Sequence, residues 1–349
     1  MSLLCNLTGY GAATLPSIGK DGHDLVLAVT AGRYRLPHPA APPEQPLDLD
    51  DDQPEPPLGD VYCGPPGRSG LRIEGQTAFG RPATDILLAG HARALRDEPV
   101  TSLTVTVSVG ACAQRAIVVG DRIWESRLAG DAVTLSPPQP FVAMPLVWER
   151  AFGGSIYDDT GQLIANEPRN PVGRGFFRDG TAAVGQLLPN VEDPRTPILG
   201  PEDRPAPMGF GPIARWWEPR ASYAGTYDEA WMRERLPVWP EDFDERFLCA
   251  APAPLQARPH LRGGEWVHLE GLHREGAMHF RLPAPRLVVR FRFNGHDVRR
   301  AMIMDALIIE PDTGHITLIH RAAAPAAPTM SAHRETVIRQ IQQWEEVVA

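Results

Sequence analysis

Four tryptophans, Trp216, Trp217, Trp231 and Trp239, are interleaved with Glu218, Asp228, Glu229, Asp242 and Asp244. Aromatic platforms beside carboxylates suit sugar binding. A carboxylate pair also suits glycoside cleavage, where one acid protonates the leaving oxygen while the other attacks or activates water. The spacing does not fix the separation that this mechanism needs, and tryptophans pinning long loops to a β core explain the same residues. The histidines offer less: His268, His273 and His279 are five and six apart, and His315 and His320 five apart. Neither spacing matches the i, i+4 face of a helix or the i, i+2 face of a strand that metal ligation uses. Asp48, Asp50 and Asp52 imitate the start of a calcium loop, but Gln53 replaces the turn glycine and Gly59 the closing glutamate.

Other motifs fail their context. Gly209 to Ala214 has the letters of a dinucleotide loop, yet a proline-rich stretch precedes it and Pro212 interrupts it. There is no phosphate-binding G-x-x-x-x-G-K-[ST] loop and no G-x-S-x-G nucleophile elbow. Cys5, Cys63, Cys112 and Cys249 lie far apart without a C-x-x-C pair, which predicts reduced, mostly buried thiols. The expectation is a chain with no catalytic residue, no cofactor and no metal.

The elements that position these residues read as mainly β: antiparallel sheets in a sandwich or barrel-like body, with long Pro/Gly/Trp-rich loops and few short helices. Leu25 to Leu36 is a strand rich in β-branched and aromatic residues that ends at Pro37. Thr101 to Val109 alternates strictly and, through Gly110, forms a hairpin with Arg115 to Trp124. Leu287, Val289, Phe291 and Phe293 alternate with arginines before an Asn294-Gly295 turn, a strong hairpin signal. Leu307 to Glu310 and Ile316 to Ile319 extend this into a meander. Arg290, Arg292, Arg299 and Arg300 then fall on solvent-facing strand positions. Thr226 and Glu229 suggest a capping box for a helix stopped by Pro237. Val337, Ile338, Ile341, Trp344, Val347 and Val348 recur at helical spacing after Ser331, predicting a C-terminal amphipathic helix. Three parts follow: a β-rich N-terminal subdomain over 1–136, a loop-rich Trp/Pro segment over 137–259, and a C-terminal β-meander plus helix over 260–349.

Composition agrees with a folded body. The chain has 349 residues, 43% hydrophobic and 22% charged, with 37 prolines that leave little room for long helices. The net charge of -9 disfavours a phosphate-backbone binder, which needs a basic surface. The run from Pro37 to Gly59, proline-rich and acidic, reads as an exposed loop. The N-terminus lacks a basic region followed by an apolar run, and no stretch approaches the ~20 apolar residues of a membrane helix, so the cytoplasm is the expected location.

A set of blocks carries a resemblance. They are Phe141 to Gly154 (FVAMPLVWERAFGG), Asn170 to Gly175 (NPVGRG), Leu188 to Asn190, Trp217 to Arg220 (WEPR), Gly225 to Asp228 with Trp231, Pro240 to Asp244, and Asp305 to Pro311 (DALIIEP). Upstream, Arg81-Pro82 with Asp85, Leu88 to Gly90, and Val119 to Arg122 with Trp124 also fit. The sequence resembles the bacterial domain-of-unknown-function family twenty-one sixty-nine from about Gly22 to Arg321. That resemblance implies association with type VI secretion, since members are typically encoded beside spike, PAAR-like and toxic effector proteins. It implies a non-catalytic adaptor or chaperone that loads an effector onto the spike, with protein partners and neither nucleic acid nor membrane. Where the family commonly has two lysines and an acidic pair, this chain has Thr30 or Ala31, Arg81, and only Glu74 of the acids.

The expected contact residues are Trp148, Arg150, Phe152, Arg174, Trp217, Arg220, Tyr227 and Trp231, because Trp, Tyr and Arg carry most interface energy. Each is equally explained as a loop brace. The alternative from a different class is a β-rich carbohydrate-binding or glycoside-cleaving protein using the central tryptophans and carboxylates.

Overall fold

The computed structural model describes residues 3–126, 133–178, 180–326 and 330–341. Strand accounts for 41% and helix for 8%, so sheets supply the frame on which the loops are laid. Three sheets do this work, and none closes into a barrel.

The largest has six strands in the order Gln256–Ala257, Thr84–Leu88, Ile303–Glu310, His315–Pro325, Asp24–Arg35 and Gly11–Ile18. All neighbours are antiparallel except Thr84–Leu88 beside Ile303–Glu310, which run parallel. The strand expected from the LVLAVTAGRYRL run is its spine. Positions 26–32 are all buried, because the sheet is covered on both faces and therefore favours a continuous apolar run. Val26, Ala28, Leu307, Ile309 and Leu318 face the main core, while Val29, Ala31, Ala306, Ile308 and Ile319 form a second cluster on the opposite face.

The second sheet has five strands, Val191–Glu192, Cys112–Val119, Ser102–Val109, Trp266–Glu270 and Met278–Arg281. Its central hairpin matches the alternating pattern, with Val105, Val107 and Val109 buried, though the return strand starts at Cys112 and stops at Val119. Trp124 belongs instead to a short ribbon, Trp124–Ser126 with Val133–Leu135.

The third sheet has four strands, Leu3–Asn6, His333–Gln340, Leu287–Phe293 and His296–Ala301, and contains the Asn294-Gly295 hairpin. Its inward residues Val289, Phe291 and Ile338 share the main core with both other sheets.

Several expectations are corrected. Residues 333–340 are a strand, not the start of an amphipathic helix: Ile338 pairs with Val289 and Thr336 with Phe291, all buried. The adjacent apolar residues Val337 and Ile338 fit a helical stripe and a strand alike, and two β-branched side chains favour the strand. Trp344, Val347 and Val348 lie outside the described residues. The meander is divided, because the chain leaves the four-stranded sheet after Ala301 and enters the six-stranded one at Ile303. The helix Glu229–Glu234 is capped by Asp228, which accepts from the Trp231 amide, while Thr226 bonds to Asp242. Of the cysteines, all free, only Cys249 is buried.

The acidic loop is tied down at one end. Asp50 is buried and meets Arg33 at 2.9 Å, Arg35 at 3.3 Å and His315 at 2.9 Å, so side chains of two neighbouring strands pin the loop. Sheets also mix the three sequence segments: the six-stranded sheet draws strands from 11–35, 84–88, 256–257 and 303–325.

Candidate functional site

The central segment folds over the sheets as braced loops. Trp148 donates from Nε1 to the Pro212 carbonyl at 2.9 Å and meets Trp217 edge-on, ring centroids 5.9 Å apart. Gly209 lies flat on that indole, where an added Cβ would sit 2.8 Å from ring atoms. Asn170 holds the next turn by donating from Nδ2 to the Trp148 and Phe152 carbonyls at 2.8 and 3.0 Å. Its own carbonyl accepts from the Gly154 amide. Gly153 has φ +149, and a Cβ there would lie 2.1 Å from the Asn170 oxygen, which explains the paired glycines of the FVAMPLVWERAFGG block.

A second knot joins four of the resemblance blocks. Arg150 donates from Nη1 to Asp121 at 3.2 Å and to Asn190 Oδ1 at 2.8 Å, and Asn190 donates to the Val119 carbonyl and to Asp121. Arg174 donates to the Glu149 carbonyl at 3.2 Å and lies 3.8 Å from Asp121.

The third knot is a buried ionic network that connects the central loops to the six-stranded sheet. Arg81 donates to the Leu248 carbonyl and Gln76 at 2.9 Å each, and lies 3.4 Å from Glu74, 3.3 Å from Asp85 and 3.5 Å from Asp305. Burial works against its charge, but Asp305, Asp85 and Glu74 outweigh burial and hold its pKa above the ordinary value. Arg321 donates to Asp305 at 2.5 Å and to the Gln76 and Ala78 carbonyls. Arg220 donates to the Phe247 carbonyl at 2.7 Å, the Ile213 carbonyl at 2.6 Å and Glu74 at 2.5 Å. Burial pushes Asp85 up to about 6, although Arg81 and the Ala250 amide, 2.6 Å from its Oδ2, pull the other way.

Each expected contact residue now has a place. Trp148, Phe152, Trp217 and Arg220 are interior, and Arg150 and Arg174 are half-buried braces. Of the eight, Tyr227 alone is exposed, with Trp231 partly buried against it and bonded to the Val238 carbonyl. Four of the five carboxylates of the sugar-cleaving alternative are engaged locally. Asp228 caps the helix, Asp242 accepts from Thr226, Asp244 pairs with Arg246, and Glu218 accepts from Ser222. Bonds from Thr226 and Arg246 hold Asp242 and Asp244 below the usual carboxylate range, the opposite of what a general acid requires.

What faces solvent is the neighbour of the predicted residue. Trp216 is 48% exposed and stacks on Tyr62, ring centroids 6.2 Å apart. It shares a recess of about 510 Å³ with Tyr157, Arg68, Pro171 and Val172, floored by Trp217. Tyr157, 57% exposed, pairs across its ribbon with Leu163, 48% exposed, so the two apolar side chains share one face. Sequence alone selected Trp217 because it starts the WEPR block, whereas burial puts Trp217 inside and Trp216 outside.

Among the described residues no helix is long and apolar enough to cross a membrane, and no group of three or more His, Cys, Asp or Glu side chains could hold a metal. No curated protein and no solved structure matches the chain. The blocks that meet in the three knots fall within residues 21–321, over which the sequence matches DUF2169, described as an uncharacterized protein conserved in bacteria, and the chain belongs to that family.

Proposed function

We propose that this protein is a non-catalytic, cytoplasmic adaptor that binds a type VI secretion effector and presents it to a spike or PAAR-like component. The observation that carries this reading is the solvent-facing recess of Trp216 and Tyr157, with Tyr62 stacked on Trp216, set on a rigid base of buried tryptophans and glycine-fixed turns. A binding protein needs apolar anchors on a scaffold that loses little freedom when a partner docks. The central charged groups Arg150, Arg220 and Asp228 support the same reading, because their hydrogen bonds are spent on bracing loops and capping the short helix.

Copurification tests the proposal. The tagged protein, coexpressed with a type VI effector and a spike- or PAAR-like protein from its own bacterium, is expected to retain one of them as a complex of defined stoichiometry. Failure to retain any of them, or catalytic turnover that persists through purification, would remove the reading.

A further inference from the structure

The four-stranded sheet ends at His296–Ala301, and among the described residues no strand pairs with the far side of that strand. All of its residues but Val298 are exposed. The direction of its backbone groups follows from the hairpin. Met302 donates to the Leu287 carbonyl at 2.9 Å, and Arg300, Val298 and His296 stand at the same parity, opposite Val289, Phe291 and Phe293. Bonding groups alternate along an antiparallel strand, so these residues face inward, and Asp297, Arg299 and Ala301 turn their N–H and C=O groups to the open edge. The Arg299 carbonyl is met there by the guanidinium of Arg300 at 2.9 Å, a side chain standing where the amide of a further strand would reach.

The charge on this edge is unbalanced. Arg290 and Arg299 lie directly opposite each other across the two strands, an arrangement of like charges that costs stability. Asp297 relieves Arg290 at 3.8 Å, and Glu335 meets Arg292 at 2.8 Å. The Arg299 guanidinium has no partner among the described residues, and that of Arg300 has only the backbone carbonyl. Two exposed arginines without a carboxylate of their own, in a chain of net charge -9, make a surface complementary to an acidic partner.

We propose that His296–Ala301 accepts an extended acidic segment of a protein partner as a fifth, antiparallel strand of this sheet, with two adjacent acids beside Arg299 and Arg300. The unpaired backbone supplies the affinity of strand addition, and the arginines choose the partner. Successive residues of a strand point to opposite faces, so two acids in sequence serve Arg299 on one face and Arg300 on the other. A second copy of this chain brings the same two arginines and one aspartate to the edge, and like charge holds it off. A nucleic acid would use the arginines but not the alternating donors and acceptors of the strand.

The inference rests on the protein-binding reading, so its test uses peptides alone. Fluorescence anisotropy with the full chain compares labelled Thr-Glu-Glu-Val-Thr-Val with the same peptide carrying lysines for both glutamates, while amide hydrogen exchange follows residues 294–302. The acidic peptide is expected to bind at least about tenfold tighter and to slow exchange at Asp297, Arg299 and Ala301. Arg299→Glu with Arg300→Glu, both exposed, is expected to reverse the preference. With the wild type, N-methylation of the second glutamate and second threonine, whose amides face the edge, is expected to abolish binding, whereas N-methylation of the first glutamate and first valine, whose amides face away, is expected to spare it. Equal binding of acidic and basic peptides, equal loss from both methylation patterns, binding without slowed exchange, no binding at all, or an oligodeoxythymidylate held more tightly than the acidic peptide would overturn the proposal. A wild type that ignores the peptides yet retains its effector refutes the edge and leaves the adaptor reading standing.

Discussion

Arg220 donates from Nη2 to Glu74 Oε1 at 2.5 Å across 146 residues of sequence, with both side chains almost wholly buried. Glu74 is thereby the hub at which Arg81, Arg215 and Arg220 meet, linking the WEPR block to the six-stranded sheet. Removing one member of a buried ionic set leaves uncompensated charge, which is costly whatever the set itself is worth. Glu74→Gln is expected to lower stability by about 3 to 5 kcal/mol, read from the urea midpoint at constant slope. A loss below about 1 kcal/mol, the level of an exposed pair, would contradict this account of the network.

His320 and Asp85 give opposite pH dependences. Burial lowers the His320 pKa from 6.5 to about 4, so the unfolded chain holds the extra proton between those values. Its contribution is present above pH 6.5 and is lost as pH falls through about 4. Asp85, raised from 3.8 to about 6, contributes stability below 3.8 that is lost as pH rises through about 6. Each is worth up to about 3 kcal/mol. Relative to His320→Leu, the wild type should lose stability on acidification, whereas relative to Asp85→Asn it should gain. Urea titrations at several pH values between about 4 and about 7 read both slopes, and parallel curves for wild type and variants would refute them.

Adjacent tryptophans should behave oppositely. Trp217 is fully buried against Trp148, so Trp217→Ala is expected to cost about 3 to 5 kcal/mol. Trp216 is half-exposed, so Trp216→Ala should change stability by no more than about 1 kcal/mol. Thermal melts of the two variants check the contrast, and similar losses would place Trp216 in the core.

Gly153 is held by close approach as well as by conformation. A Cβ there would meet the Asn170 oxygen at 2.1 Å, and φ is +149. Gly153→Ala must shift the Asn170 turn and is expected to cost more than about 2 kcal/mol, whereas Gly161→Ala, also at positive φ but open to solvent, should cost only about 1 kcal/mol. Equal melting temperatures for the two variants would contradict this.

Strands with strict alternation and tight turns were legible in the sequence, as at Ser102–Val109 and at Asn294-Gly295, because period two and an Asn-Gly turn have few competing readings. Residues 333–340 were not, since Val337 and Ile338 fit both periods and only pairing with Leu287–Phe293 decides between them. The resemblance blocks marked where the chain is braced, but not which side of each block faces out. Trp216 and Trp217 are neighbours of one type, and only the packing of Trp148 separates them. The Arg81, Asp305 and Arg321 network left no local trace because its members lie far apart in the chain, and pairing at such distance has no spacing rule.

The most direct test of the adaptor reading is retention of the coexpressed effector or spike-type protein by wild type and by a Trp216→Ser, Tyr157→Ser double variant with an unchanged melting temperature. The account predicts a stoichiometric complex with the wild type on size exclusion and its loss in the variant. A variant that holds the partner as tightly as the wild type, or a wild type that holds a glycan and no protein, would contradict it.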